Sequence, residues 1–188
     1  MLFFMQHYGV PTRLLDWTEN PFIALFFAVT SCPLSRNVKG GVTSLSFPTD
    51  AAVWILDPAA WNEHALRHQG FHGGILAGSD DALQGYKPMT RFADMNVNPV
   101  ALYGAHNSPR IVAQRGAFTI AGQGLRGMEQ EFDSEGFPKT SLIKVVLGKT
   151  VLEGIRKSVF QYGMTESTVF PDLGGLAAEI KREFNFEF

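Results

Sequence analysis

The chain has 188 residues, 45% of them hydrophobic and 18% charged, with a net charge of −2 and a pI near 6.2. That balance excludes a disordered chain, and the lack of a basic excess excludes indiscriminate binding to nucleic acid or anionic membrane. Cys32 is the only cysteine, so no internal disulfide forms within the chain, which fits a reducing, cytoplasmic setting.

The first residues, Leu2-Phe3-Phe4-Met5, read as the last turn of an apolar helix that Gly9 ends, so the domain is expected to begin upstream, N-terminally truncated here. Pro11 to Thr18 reads as a short extended piece. Asn20 and Pro21 then open a helix, because Asn caps free N–H groups and Pro fits the first turn. Phe22 to Val29 is apolar all round and predicts a buried helix, which Pro33 stops. This apolar run is far too short to span a bilayer, and no membrane association is expected. Cys32, beside it, is expected to act as a small buried hydrophobe.

Ala52 to Asp57 predicts a strand, and Pro58 opens a helix to about Gln69. Gly70 to Pro99 is rich in Gly, Asp, Asn and Pro and predicts a long irregular loop. Short strands are expected near Ala101 to Tyr103, Ile111 to Gln114 and Ala117 to Ala121, and another over Ser141 to Leu147. Val151, Ile155 and Val159 recur every four residues, predicting a helix that Gly163 ends. Asp172 caps a last helix whose apolar face is Leu173, Leu176, Ala177, Ile180 and Phe184. The elements lack a βαβ rhythm, so the expected fold is one α+β domain over residues 1–188, with a mixed or antiparallel sheet.

Three stretches carry a resemblance. Gln6-His7-Tyr8-Gly9-Val10-Pro11-Thr12-Arg13-Leu14-Leu15-Asp16-Trp17-Thr18, with Asn20-Pro21 and Ala24 to Ala28, resembles the central signature of the FRG domain family. Arg110 to Thr119 and Phe170 to Ala177 resemble its later blocks. The Phe-Arg-Gly element that names the family is absent from this chain. More distantly, the pattern is similar to ADP-ribosyltransferases of the arginine–serine–glutamate type. That similarity implies a split sheet, an NAD-type pocket, Thr18 in the serine-like block and Gln114 where a glutamate would stand. Such chemistry needs a carboxylate to stabilise an oxocarbenium-like charge, and Gln can hydrogen-bond a ribose hydroxyl but cannot act as a base.

The candidate site residues each have a plainer role to set beside the functional one. Thr18 and Gln114 are the catalytic candidates the resemblance implies. Arg13 and Asp16 either face a pocket or anchor a loop, and His7 either moves protons or bonds backbone. Arg110, Arg115 and Arg126 either line an anion site or are scattered surface charge. His64 and His68 stand four apart on one helix face, but Gly70 breaks the helix before His72 and no cysteine or well-spaced carboxylate joins them, so no metal is expected. Gly122, Gly124 and Gly127 match a dinucleotide fingerprint formally, with a short acidic stretch where a helix should follow.

Two functional readings stay open. One is an enzyme-like nucleotide pocket related to ADP-ribosyltransferases, acting on NAD or a nucleic-acid end. The other is a non-catalytic module binding RNA or a protein in a bacterial stress or phage-defence system.

Overall fold

A computed structural model describes residues 2–7, 9–39, 42–104, 108–124, 126–184 and 186, leaving out the side chains of residues 7, 36–39 and 42–44. The chain runs through α1 (Leu2–His7), β1 (Leu14–Thr18), α2 (Pro21–Thr30), β2 (Ser35–Lys39), β3 (Val42–Ser46) and β4 (Ala51–Leu56). It continues with α3 (Pro58–Ala65), β5 (Val100–Tyr103), α4 (Pro109–Ala113), β6 (Gly116–Ile120), α5 (Met128–Glu135) and β7 (Leu142–Leu147). It closes on α6 (Leu152–Gln161), α7 (Glu166–Val169) and α8 (Leu173–Glu183).

The fold is mixed α and β with small sheets among the described residues. β1, β6 and β5 form a three-stranded sheet with β6 in the middle, β2 and β3 pair antiparallel, and β4 pairs with β7. β5 and β6 run antiparallel from Val100 opposite Ile120 to Tyr103 opposite Ala117. An isolated parallel bridge joins Leu76, outside the strands, to Leu102 of β5. Contacts divide the chain into two compact units.

The first unit comprises Met1–Trp17, Ile55–His106 and Gly116–Ile143. Every residue of β6 is buried, which is why its sequence reads as a continuous apolar run rather than an alternation. Trp61 on α3 is fully buried and stacks on Phe137 with ring centroids 4.0 Å apart. Its indole N–H donates to the Pro99 carbonyl. One helical turn offers Asn62, also fully buried. Its side chain accepts from the Ala101 amide at 2.7 Å and donates to the Ala101 carbonyl at 2.8 Å, so an amide side chain pairs with β5 as a neighbouring strand would. A 3-10 turn at Arg67–Gln69 follows α3, and the loop expected over residues 70–99 is irregular but carries further 3-10 turns at Asp81–Tyr86 and Phe92–Asp94. Leu76, Leu83 and Tyr86 anchor it in the core.

The second unit comprises Thr18–Trp54, Asn107–Arg115 and Lys144–Phe188. α2 begins as its cap residues dictate: the Asn20 side chain accepts from the Phe22 amide and Pro21 takes the first turn. Ile23 and Phe26 pack with Val159 and Val169, while Val29 packs with Phe47, Ala51 and Leu152. Burying side chains of this size stabilises by about 1.5–3 kcal/mol each. α2 is buried along one row only, since Phe22 on another face is exposed.

Three expectations change. Residues 111–114 form no strand: Ser108 caps α4 through the Ile111 amide and Pro109 opens it, a start signal that outweighs the β-branched pair Ile111-Val112. The acidic stretch after Gly127 is a helix, α5, closed by Gly136 in the left-handed conformation. Finally, the apolar face of α8 points outward. Leu173 is 83% exposed, and Leu176, Ile180 and Phe184 are exposed too. The inner face of α8 is set instead by Gly175, where an added Cβ would run into the Phe170 carbonyl, and by Arg182, which pairs with Glu166.

Candidate functional site

In the second unit, the residues of the signature and of the closing helix build one connected arrangement. Thr18 ends β1 and accepts from the Asn20 amide, so it helps turn the chain into α2. Its hydroxyl donates to the Gln114 carbonyl at 2.6 Å. The Gln114 side chain in turn donates to the Val169 carbonyl at 3.1 Å. Arg110, one turn earlier on α4, lies over the Phe170 ring at 4.5 Å. The sequence-selected Thr18, Gln114 and Arg110 are thus brought together, and together they fix the position of Phe170.

Phe170 is one wall of a cleft of about 400 Å³. Phe26 and Phe27 of α2 meet Phe170 edge-on, at centroid distances of 6.4 and 5.9 Å. Cys32, half-buried, and the Thr30 and Ser31 hydroxyl residues continue the lining from the end of α2. Arg156 and Glu166 supply the charged part of the wall. Arg156 lies over the Phe160 ring at 4.8 Å, and Arg182 lies over the same ring at 4.3 Å.

Glu166 is held in one orientation. The Arg182 Nε–H donates to both of its carboxylate oxygens, at 2.9 and 3.0 Å. Only 19% and 14% of the Arg182 and Glu166 side chains are exposed, so this pair is far better shielded than a surface salt bridge. Nearby, the Ser167 hydroxyl and then other donors hold the Glu179 carboxyl below its ordinary range, against the opposing effect of burial. The Ser167 amide also donates to Glu179 at 3.0 Å, joining α7 to α8.

The other sequence-selected residues lie elsewhere. Arg115 sits at the turn after α4 with φ of 46°, its side chain exposed, and its carbonyl accepts from the Glu19 amide. In the first unit, Arg13 donates to the carbonyls of Ala121 and Tyr86 at 3.0 and 2.7 Å, a two-pronged clamp on backbone. Asp16 accepts from Gln6, whose own amide oxygen accepts from Thr12. His7 lies on α1, and its side chain falls outside the described residues.

The histidines do not converge. His64 meets the Glu135 carbonyl, His68 meets Asn96 and His72 pairs with Glu63. No group of three or more His, Cys, Asp or Glu among the described residues is placed to hold a metal. Arg126 donates to Ser134. The Gly122–Gly127 segment spends its amides on backbone: Gln123 donates to the Asn96 carbonyl and Gly124 to that of Val97. A phosphate cradle needs such amides turned outward. No described helix is long and apolar enough to cross a membrane.

Sequence reasoning missed Arg156, Glu166 and Arg182. They come from three separate helices at no motif spacing, so only the fold brings them to one place. Phe170 was visible as part of the closing block, without a role.

No curated protein matches, and no solved structure matches. Seven of the ten described residues that line the cleft fall between positions 1 and 36. Those 36 positions are the part of the chain that matches a family model, that of the FRG domain.

Proposed function

We propose that the cleft of the second unit binds a nucleotide, either free or as a nucleic-acid end, by stacking its base on Phe170, with Phe27 set edge-on beside it, and holding its phosphate near Arg156. The observation that carries this reading is the composition of the wall: three phenylalanines beside one arginine and one fixed carboxylate. A flat aromatic ring gains about 1–3 kcal/mol from stacking on such a surface, and an arginine gives anionic oxygens a paired donor. A volume of about 400 Å³ lies in the range of small-molecule pockets.

The reading is of a binding pocket more than of a transferase. Thr18 spends its hydroxyl on the Gln114 backbone, and Gln114 spends its amide on Val169. These residues then act by positioning Phe170, whatever their counterparts do in ADP-ribosyltransferases. NAD stays within the proposal as a ligand that carries the same base and phosphate chemistry.

The test is calorimetric titration of the whole chain with NAD, mononucleotides and a short single-stranded RNA. At least one should bind, and Phe170→Ala should weaken it about tenfold or more while the protein stays folded. Arg156→Gln should weaken binding and reduce its salt dependence. Absence of binding to every probe by the folded chain would overturn the reading.

A further inference from the structure

We infer that β7 is a pairing edge for a second copy of this chain, so that two β4–β7 ribbons join as one four-stranded sheet about a two-fold axis at Val145. The inference is independent of the cleft. In a strand packed on one face, alternate residues are hidden. In β7, Ile143, Lys144, Val145 and Val146 are consecutive and all exposed, and three of them are branched aliphatics. β7 pairs with β4, and among the described residues no other backbone hydrogen bond reaches residues 142–147. The outer edge of β7 thus carries unmatched N–H and C=O groups beside apolar side chains, the combination that accepts another strand.

The phase of the ribbon decides which groups face outward. The Asp57 amide donates to the Ser141 carbonyl at 2.9 Å, and the Lys144 ammonium lies over the Trp54 ring at 5.2 Å. Both contacts fit an antiparallel ladder with Ser141 beside Asp57 and Lys144 beside Trp54. The N–H and C=O groups of Ile143 and Val145 then turn to β4, and those of Lys144 and Val146 turn away. A two-fold axis through a pair of antiparallel strands passes at a residue, because facing residues share one side of the sheet. An axis at Lys144 would set two ammonium groups directly opposite, which is unfavourable. An axis at Ile143 or Val146 pairs fewer strand residues. An axis at Val145 sets Val145 against itself, Lys144 against Val146 and Ile143 against Leu147 of the second copy. The outward backbone groups of Lys144 and Val146 then bond one another, and each lysine meets a valine. Lys144 is also drawn sideways onto Trp54 of its own ribbon, so its charge guards the edge less than a free lysine would. With a net charge of −2, little long-range repulsion separates two copies. One strand edge covers less area than a standard interface, which takes about 800 Å² from each partner, so the dimer is weak.

The experiment is sedimentation velocity on the whole chain from about 1 µM to about 1 mM, the range that weak association spans. The mean mass is expected to climb from 20.7 kDa towards twice that value. Val145→Lys, which sets like charges across the axis, should hold the mass at the monomer value while keeping the parent circular dichroism. Cross-linking reads the register without that variant, in a Cys32→Ser background. Val145→Cys should give a disulfide-linked dimer under mild oxidation, because facing Cα atoms about 4.5 Å apart are within reach of a disulfide. Val146→Cys, displaced from its own copy along the strand, should not. A chain that stays monomeric at every concentration would overturn the inference and leave the edge to a strand from another protein. A dimer that a folded Val145→Lys leaves intact, or that cross-links better through Val146→Cys, would overturn the assignment to this edge and register.

Discussion

Replacing Arg13 tests whether a signature arginine serves a ligand or the scaffold. Its guanidinium donates to two backbone carbonyls from distant parts of the first unit, Ala121 at 3.0 Å and Tyr86 at 2.7 Å. Hydrogen bonds to a charged group contribute about 1.5–3 kcal/mol each. Both bonds are only partly buried, so the lower end applies, and Arg13→Met should cost about 3 kcal/mol. For a chain of this size each kcal/mol moves the melting temperature by about 2–4 °C, giving a drop of about 6–12 °C. Arg13→Lys should recover part of this, because an ammonium is a compact point charge without the guanidinium's rigid fork. Urea unfolding and calorimetric melting measure both variants. A loss under about 1 kcal/mol for Arg13→Met would refute the clamp and return Arg13 to the list of ligand-facing residues.

Further outcomes follow from the same structure. Asn62→Ala should cost about 3 kcal/mol in urea unfolding, because it orphans the buried Ala101 amide and removes two further bonds, to Ala101 and Gly74. Gly175→Ala should lower both stability and ligand affinity, since the new methyl would collide with the Phe170 carbonyl and push α8 or Phe170 away. Burial raises the Tyr86 hydroxyl above its ordinary 10.0. Its neutral form is favoured by folding, so its contribution is fully present below about pH 10 and is lost as pH climbs towards the raised value. Tyr86→Phe should therefore flatten the alkaline limb of the stability curve. For Glu179 the sign is opposite: its folded value lies below the ordinary 4.5, so its contribution is present above that pH and is lost as pH falls through the lowered value. Glu179→Gln should flatten the acid limb.

Much of the fold was legible because local signals and tertiary packing agree. Asn20-Pro21, Pro58 and Asp172 mark helix starts by local chemistry alone, and each helix begins there. Ser108-Pro109 carries the same signal, and Ile111-Val112 masked it because β-branched residues read as strand. The face of α8 was visible as a period but not in direction. Periodicity reports that a stripe exists, while Gly175 and Arg182 decide which side turns in. At the site, Thr18 and Gln114 were legible as candidates through the resemblance and Arg110 only separately, as a member of an anion site with Arg115 and Arg126; their partners are backbone carbonyls and a ring, which no motif encodes. Arg156 and Glu166 carry no local signal, because their neighbourhood exists only once α2, α6 and α7 have packed.

The position of the bound base tests the proposed pocket most directly. Two-dimensional NMR of the chain with ring-labelled phenylalanine and a bound mononucleotide measures this. Cross-relaxation from the base protons to the Phe170 ring and the facing edge of Phe27, lost in Phe170→Leu, is the predicted result. Cross-relaxation to rings of the first unit instead, such as Phe3 or Phe118, would contradict it.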